Sequence, residues 1–167
     1  MTERHEQPGL SPIVQTIAAL IFPFILIFSF YVIMHGHLTP GGGFQGGAIG
    51  ASAIVMLIVA YGASRAEKHA SESVLSMLES LGGLTFVVVG LLGLVLVTDT
   101  LLANFLADTS YIFGELPSFG GNPGILNSGG TLPILNLAVG MKVIGGLAAV
   151  VLAMAMASSD KEEEGDQ

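Results

Sequence analysis

Five titratable side chains stand inside or at the ends of long apolar runs: His35, His37, Glu79, Asp99 and Lys142. The chemistry open to them there is proton uptake and release, and charge pairing. Desolvation lowers the pKa of a buried lysine, so Lys142 can exchange a proton where an aqueous lysine would not. Intramembrane carboxylates such as Glu79 and Asp99 suit proton relays and ion pathways. His35 and His37 flank Gly36. As a pair they either accept protons at a water-filled entrance or cap a helix end as interfacial polar groups. Other chemistries find no support. There is no cysteine, which removes disulfides, thiolate metal sites and cysteine nucleophiles. No further His or carboxylate cluster accompanies the histidines to make a metal site. No ligand set for haem or an iron–sulfur cluster is present, so no cofactor is expected. With 5 basic residues against 13 acidic ones, there is no basic patch that would suit nucleic acid.

The elements that must position these groups are membrane helices. The chain of 167 residues is 51% hydrophobic and 11% charged, with a mean hydropathy of +0.76. Soluble domains carry about 25% charged residues. Four windows, Ile13–Met34, Gly42–Tyr61, Leu81–Leu106 and Leu132–Ala157, each supply the roughly 20 apolar residues that a bilayer-spanning helix needs. The expected fold is therefore an all-α integral membrane protein with four transmembrane helices. A polar lead over residues 1–12 precedes it, and an acidic tail over 158–167 follows it. Asp160, Glu162, Glu163, Glu164 and Asp166 crowd that tail, which reads as disordered and solvated. The first apolar run is too long for a signal-peptide h-region and lacks a cleavage site, so it is expected to stay as a span.

Basic residues orient the spans. Arg4 precedes span 1, Arg65 and Lys68 lie between spans 2 and 3, and Lys161 follows span 4. The connections 35–41 and 107–131 hold no Lys or Arg. The positive-inside rule places both termini and the 62–80 connection in the cytoplasm. Lys142 then lies ten residues into span 4, about 15 Å deep at 1.5 Å per residue, near the middle of the hydrocarbon. That depth favours an ion path or an intersubunit charge partner over snorkelling. Asp99 falls near the outer end of span 3, in an interfacial or a relay position. Glu79 falls at the inner start of the same helix, where the helix dipole alone can account for it. Pro23 predicts a kink, and Asn136 an interhelical hydrogen bond. The 62–80 connection reads as a polar, helix-compatible surface segment with Val74, Leu75 and Leu78 at helical spacing. The connection after span 3, rich in Gly, Pro, Asn and Ser with Tyr111, Phe113 and Phe119 between them, reads as an ordered loop held by turns.

Between spans 1 and 2 runs GHLTPGGGFQGG. It satisfies G-x-G-x-x-G literally, but that pattern binds dinucleotides only after a strand in a βαβ unit, and no Lys-Ser/Thr pair follows to make a P-loop. Membrane packing explains it better. Gly42, Gly46 and Gly50 recur every four residues, with Gly43, Gly47 and Ala51 beside them, and such rows let another backbone approach closely. Pro40, followed by Gly41, suits the first turn of a helix. Phe44 stands as one large ring on this bare surface, beside the amide of Gln45.

These residues also carry a resemblance. GHLTPGGGFQGG after a first span, and GTLPILNLAVGMKVIGGL around Lys142, resemble the MnhB family, which supplies one of the membrane subunits of Mrp-type multisubunit Na⁺/H⁺ antiporters. The likeness runs from about Ile13 to Ala157. Related subunits occur in membrane-bound hydrogenase-type and sulfur-reducing complexes. The resemblance implies a four-helix subunit of a large prokaryotic cell-membrane assembly related to respiratory complex I. Its partners would be the other membrane subunits, the lipid bilayer, Na⁺ and H⁺, and it would be a transporter component and not itself an enzyme. It also implies functional sensitivity at the positions matching Pro40, Phe44 and Lys142. Three readings follow: a subunit contributing to ion translocation, a purely structural adaptor, and a membrane piece of a redox-driven pump.

Overall fold

A computed structural model describes residues 10–62, 71–97, 100–107, 112–114 and 126–165, the stretch 159–165 by its backbone alone. Four helices organise them: α1 (Pro12–Met34), α2 (Gly43–Tyr61), α3 (Glu72–Val97) and α4 (Leu132–Gly165). Each contains a stretch long and apolar enough to cross a membrane, that of α4 being Leu132–Ser158. The all-helical, four-span architecture is therefore the one the hydropathy predicts.

The boundaries differ in instructive ways. α1 starts with Pro12 in its first turn, where a missing N–H costs nothing, and runs on through Pro23. Pro40 does not open α2. The helix begins three residues later, behind Gly42, whose φ of +136° is open to glycine but strained for other residues. α3 begins at Glu72 and not at Leu81, because the Glu, Ser, Leu and Met of 72–80 sustain a helix despite their polarity. Val74, Leu75 and Leu78 thus belong to the span itself and not to a separate surface segment. α3 also stops at Val97, short of the expected Leu106. α4 does the opposite and continues to Gly165. The tail expected to be disordered from 158 extends the helix, since Ala, Met, Lys and Glu all have high helix propensity and no proline intervenes.

The helices stand in a row, α1–α2–α4–α3, with only a light contact between α1 and α4. α1 and α2 are antiparallel. Their far ends are tied where the Leu10 N–H donates to the Ala60 carbonyl at 3.0 Å, and where the Tyr61 hydroxyl donates to the Gln15 carbonyl at 3.1 Å. α2 and α4 run parallel, with Gly43 against Asn136 and Val139, Gly47 against Gly140 and Val143, and Gly50 against Ile144. α3 and α4 are antiparallel, with Gly82 on Ala138 and Lys142 and Gly145 on Leu75 and Glu79. The start of α1 and the end of α4 therefore lie at the same end of the helices. Near that end Ile58, Leu75, Ala148 and Leu152 form a buried cluster.

At the other end the chain doubles back. The apolar run Leu101–Leu106 does not prolong α3. It returns along the helix, so that Ala103 covers Gly93 and Leu102 covers Gly90, and the Leu102 N–H reaches the Gly90 carbonyl at 3.3 Å. Leu102 takes φ +61° to do so, a left-handed conformation that costs a non-glycine residue about 1–3 kcal/mol. Irregular backbone at this depth needs protein around it, and the two glycines let it sit close. Asn104 then fastens the segment to the start of α4. Its Oδ1 accepts the Thr131 N–H at 2.7 Å and the Thr131 hydroxyl at 3.1 Å, while its amide donates to the Gly129 carbonyl at 3.2 Å. Phe113 is held in turn by Asn127 and by Gly130. Where it is described, then, the connection is an ordered loop held by turns. Tyr111 and Phe119 lie outside the described residues.

Candidate functional site

Two opposite charges on helices of membrane-spanning length meet. Lys142 Nζ donates to Glu79 Oε1 at 3.1 Å, across the α3–α4 seam. Glu79 does not sit at the start of α3 with the helix dipole. That place belongs to Glu72, and Glu79 lies two turns further on. The pair rests on glycines. A Cβ at Gly83 would stand 3.9 Å from Lys142 Nζ, and one at Gly146 would stand 3.4 Å from the Glu79 carboxyl carbon. Gly82 and Gly145 bring the two backbones together beneath it: added Cβ atoms there would approach Ala138 O, Lys142 N, Leu75 O and Glu79 N within about 2.7 Å, inside van der Waals contact. The close crossing leaves the two charged heads outside, with 54% of the Lys142 side chain and 42% of the Glu79 side chain uncovered. The pair thus lies on the open face of the row and not within it.

Asp99 lies outside the described residues. The two histidine rings pack against different neighbours. His35 stacks on Tyr31 with ring centroids 4.1 Å apart, and its Nδ1 lies 3.1 Å from the Tyr31 carbonyl. His37 turns the other way, against Gly129, and both its ring nitrogens are buried without a hydrogen-bond partner. It is therefore not a solvated cap. Burial and the neighbouring His35 hold its pKa below the usual histidine value. The Leu126 and Met34 carbonyls pull the other way without reaching hydrogen-bond geometry.

The glycine hairpin packs as two rows with different partners. Gly46 faces α1 at Ile33 and Ser29, Gly43 and Gly47 face α4, and Gly50 sits between Ser29 of α1 and Ile144 of α4. The buried Ser29 hydroxyl donates to the Gly46 carbonyl at 2.7 Å. Asn136 meets the turn edge-on, its side chain against Gly36 and Gly42, and so fills space at the helix junction. Phe44 is not on the bare face: it is 61% exposed, on the side of α2 that the row leaves open. Neither Asn104 nor the glycines at 82–83 and 145–146 stood out in the sequence. The paired GG dipeptides, one in each partner helix, were a usable sign of the second crossing. Nothing in the sequence around Asn104 announced its clasp.

A four-helix membrane domain with an exposed charge pair and a glycine-packed hairpin is thus defined. This chain belongs to the family described as a domain related to the MnhB subunit of Na⁺/H⁺ antiporter, whose model matches residues 13–157. An uncharacterized protein of Methanocaldococcus jannaschii is 31% identical over 137 residues, 82% of this chain and 49% of that one. A Na⁺/H⁺ antiporter subunit of Bacillus subtilis is 49% identical over 57 residues, 34% of this chain and 40% of its own length. Among solved structures, a chain of the membrane-bound sulfane sulfur reductase, an archaeal respiratory membrane complex, matches with a TM-score of 0.69 and 35% identity. That match covers 92% of this chain and 61% of the other. The chain spans about half the length, or less, of the curated relatives it matches.

Proposed function

We propose that this chain is a membrane subunit of a multisubunit cation/proton antiporter, in which the Glu79–Lys142 pair faces a neighbouring subunit and helps carry or gate Na⁺ or H⁺. The observation that carries this reading is the position of the pair: two opposite charges, linked at 3.1 Å and half uncovered, with Lys142 ten residues into α4 and Glu79 two turns into α3. A charge at such depth costs about 2.5–3.5 kcal/mol on insertion scales, so an exposed pair there calls for a polar path or a partner surface. Family membership and the antiporter subunit among the relatives supply the transport class. The distribution of Arg4, Arg65, Lys68 and Lys161 supports termini on the cytoplasmic face, in a reading that sets the assembly in a prokaryotic cell membrane. Phe44 and the outward face of α2 serve the same assembly as contact surface. The test is Lys142→Ala in vesicles containing the assembled complex. Loss of Na⁺-dependent antiport with assembly intact supports the reading, and undiminished antiport refutes it. If the variant instead fails to assemble on a native gel, the pair is a structural fastener.

A second reading has its own observation. The match to a sulfane sulfur reductase chain extends over 92% of this chain, so the same fold can serve a redox-driven complex. Co-purification of the native assembly decides between them. A redox-active complex with electron-carrying subunits favours the second reading, and a complex without them favours the antiporter.

A further inference from the structure

His37 is used neither by the ion pair nor by the glycine packing. Its ring lies on the Gly129 turn so closely that a Cβ at Gly129 would fall 2.9 Å from its Cδ2. Gly129 has φ +91°, and its carbonyl accepts the Asn104 amide. Asn104 in turn holds the Thr131 N–H and hydroxyl. One continuous set of contacts therefore joins the end of α1, the segment returning from α3 and the start of α4. The wedge fits only as a neutral ring. An imidazolium carries two N–H donors and needs acceptors for both, yet the Leu126 and Met34 carbonyls nearby make no hydrogen bond to either buried ring nitrogen. Among the described residues no countercharge stands by. The turn 35–42, helix α2, segments 100–107 and 112–114, the turn 126–131 and residues 132–141 contain no Asp, Glu, Lys or Arg. The titratable neighbours among the described residues are His35, whose charge would repel, and Tyr31 stacked behind it. Burying an unpaired charge without hydrogen bonds is costly enough to move the group instead.

We propose that His37 is a proton-operated wedge: taking up a proton from water at this end of the molecule drives its ring off the Gly129 turn and releases the Asn104 clasp on α4. The direction follows from linkage. Once released, the ring has the ordinary histidine value of 6.5, and in the closed state its value is lower. The closed clasp is therefore fully stable above about pH 6.5 and loses stability as the pH falls below it.

Single-thiol labelling in the assembled membrane complex tests this. Ser128→Cys places a near-isosteric thiol in the clasp, where Ser128 is 1% exposed, in a chain that has no other cysteine. Leu126→Cys, exposed in the same turn, corrects for the pH dependence of thiol reactivity. The ratio of maleimide labelling at position 128 to that at 126 is expected to rise severalfold between about pH 7.5 and about pH 5, and to stay flat in His37→Gln. A flat ratio with His37 present, or an equal rise in His37→Gln, overturns the proposal. If His37→Gln does not assemble, hydrogen exchange of the unsubstituted complex decides. Deprotection of the Thr131 amide in the same pH window supports the wedge, and protection retained through it overturns it.

Discussion

Removing Lys142, Glu79 or both measures what surrounds their ion pair. At 3.1 Å, Coulomb attraction between unit charges is about 1 kcal/mol in bulk water and about 5 kcal/mol at an effective dielectric of about 20. A water-exposed pair keeps about 0–1 kcal/mol of this once side-chain entropy is charged against it. Each single alanine variant also strands its former partner. A lone charge near the bilayer centre costs about 2.5–3.5 kcal/mol, so Lys142→Ala and Glu79→Ala should each destabilise by about 2–3 kcal/mol. The double variant strands nothing and should cost clearly less than the sum of the two. The assay is a double-mutant cycle on the unfolding midpoint of the purified complex. A coupling above about 2 kcal/mol means that lipid or protein covers the pair, and one below about 1 kcal/mol means that water reaches it. Strictly additive losses would show that the two side chains do not act on one another, and the reasoning from their geometry would fall.

Three further outcomes follow from the packing. Gly47→Ala would press a methyl to 2.7 Å from Val143 Cβ and 2.9 Å from the Gly140 carbonyl, at an overpacking cost of about 1–3 kcal/mol, read as a lower melting temperature. Asn104→Ala would remove three hydrogen bonds and orphan the Thr131 N–H, costing about 1–3 kcal/mol. Its signature is faster hydrogen exchange at the start of α4 with α1 and α2 unchanged. Phe44→Ala removes an exposed ring, so the isolated chain should melt as before while native gels show a weakened complex.

Much of this architecture was open to reading from the sequence because a bilayer imposes length and apolarity on each span. Spans 1, 2 and 4 begin where hydropathy puts them, and the glycine rows at 43/47 and 46/50 pack as their spacing requires. The shift of α3 has a local cause. Glu72 and Glu79 look like loop residues to a hydropathy window, while Leu101–Leu106 looks like helix although it folds back over Gly90 and Gly93. The meeting of Glu79 and Lys142, 63 residues apart, depends on α3 lying beside α4 and away from α2. No periodicity within either helix encodes that neighbour relation. Asn104 escaped notice for the same reason, since its partners Gly129 and Thr131 belong to a turn 25 and 27 residues away. The acidic stretch after Ala157 shows a different limit, because charge argues for solvation and says nothing against a helix.

Among the described residues, four helices in a row, with α1 also touching α4, make a panel with two outer surfaces and no lumen. Any aqueous route along the Glu79–Lys142 side is enclosed only when a second polypeptide supplies the facing wall. Its bore is then a distance between two proteins and not a dimension of either. Shape changes that leave every helix of this chain rigid can still open or close such a route, simply by moving the neighbour away from or toward the panel.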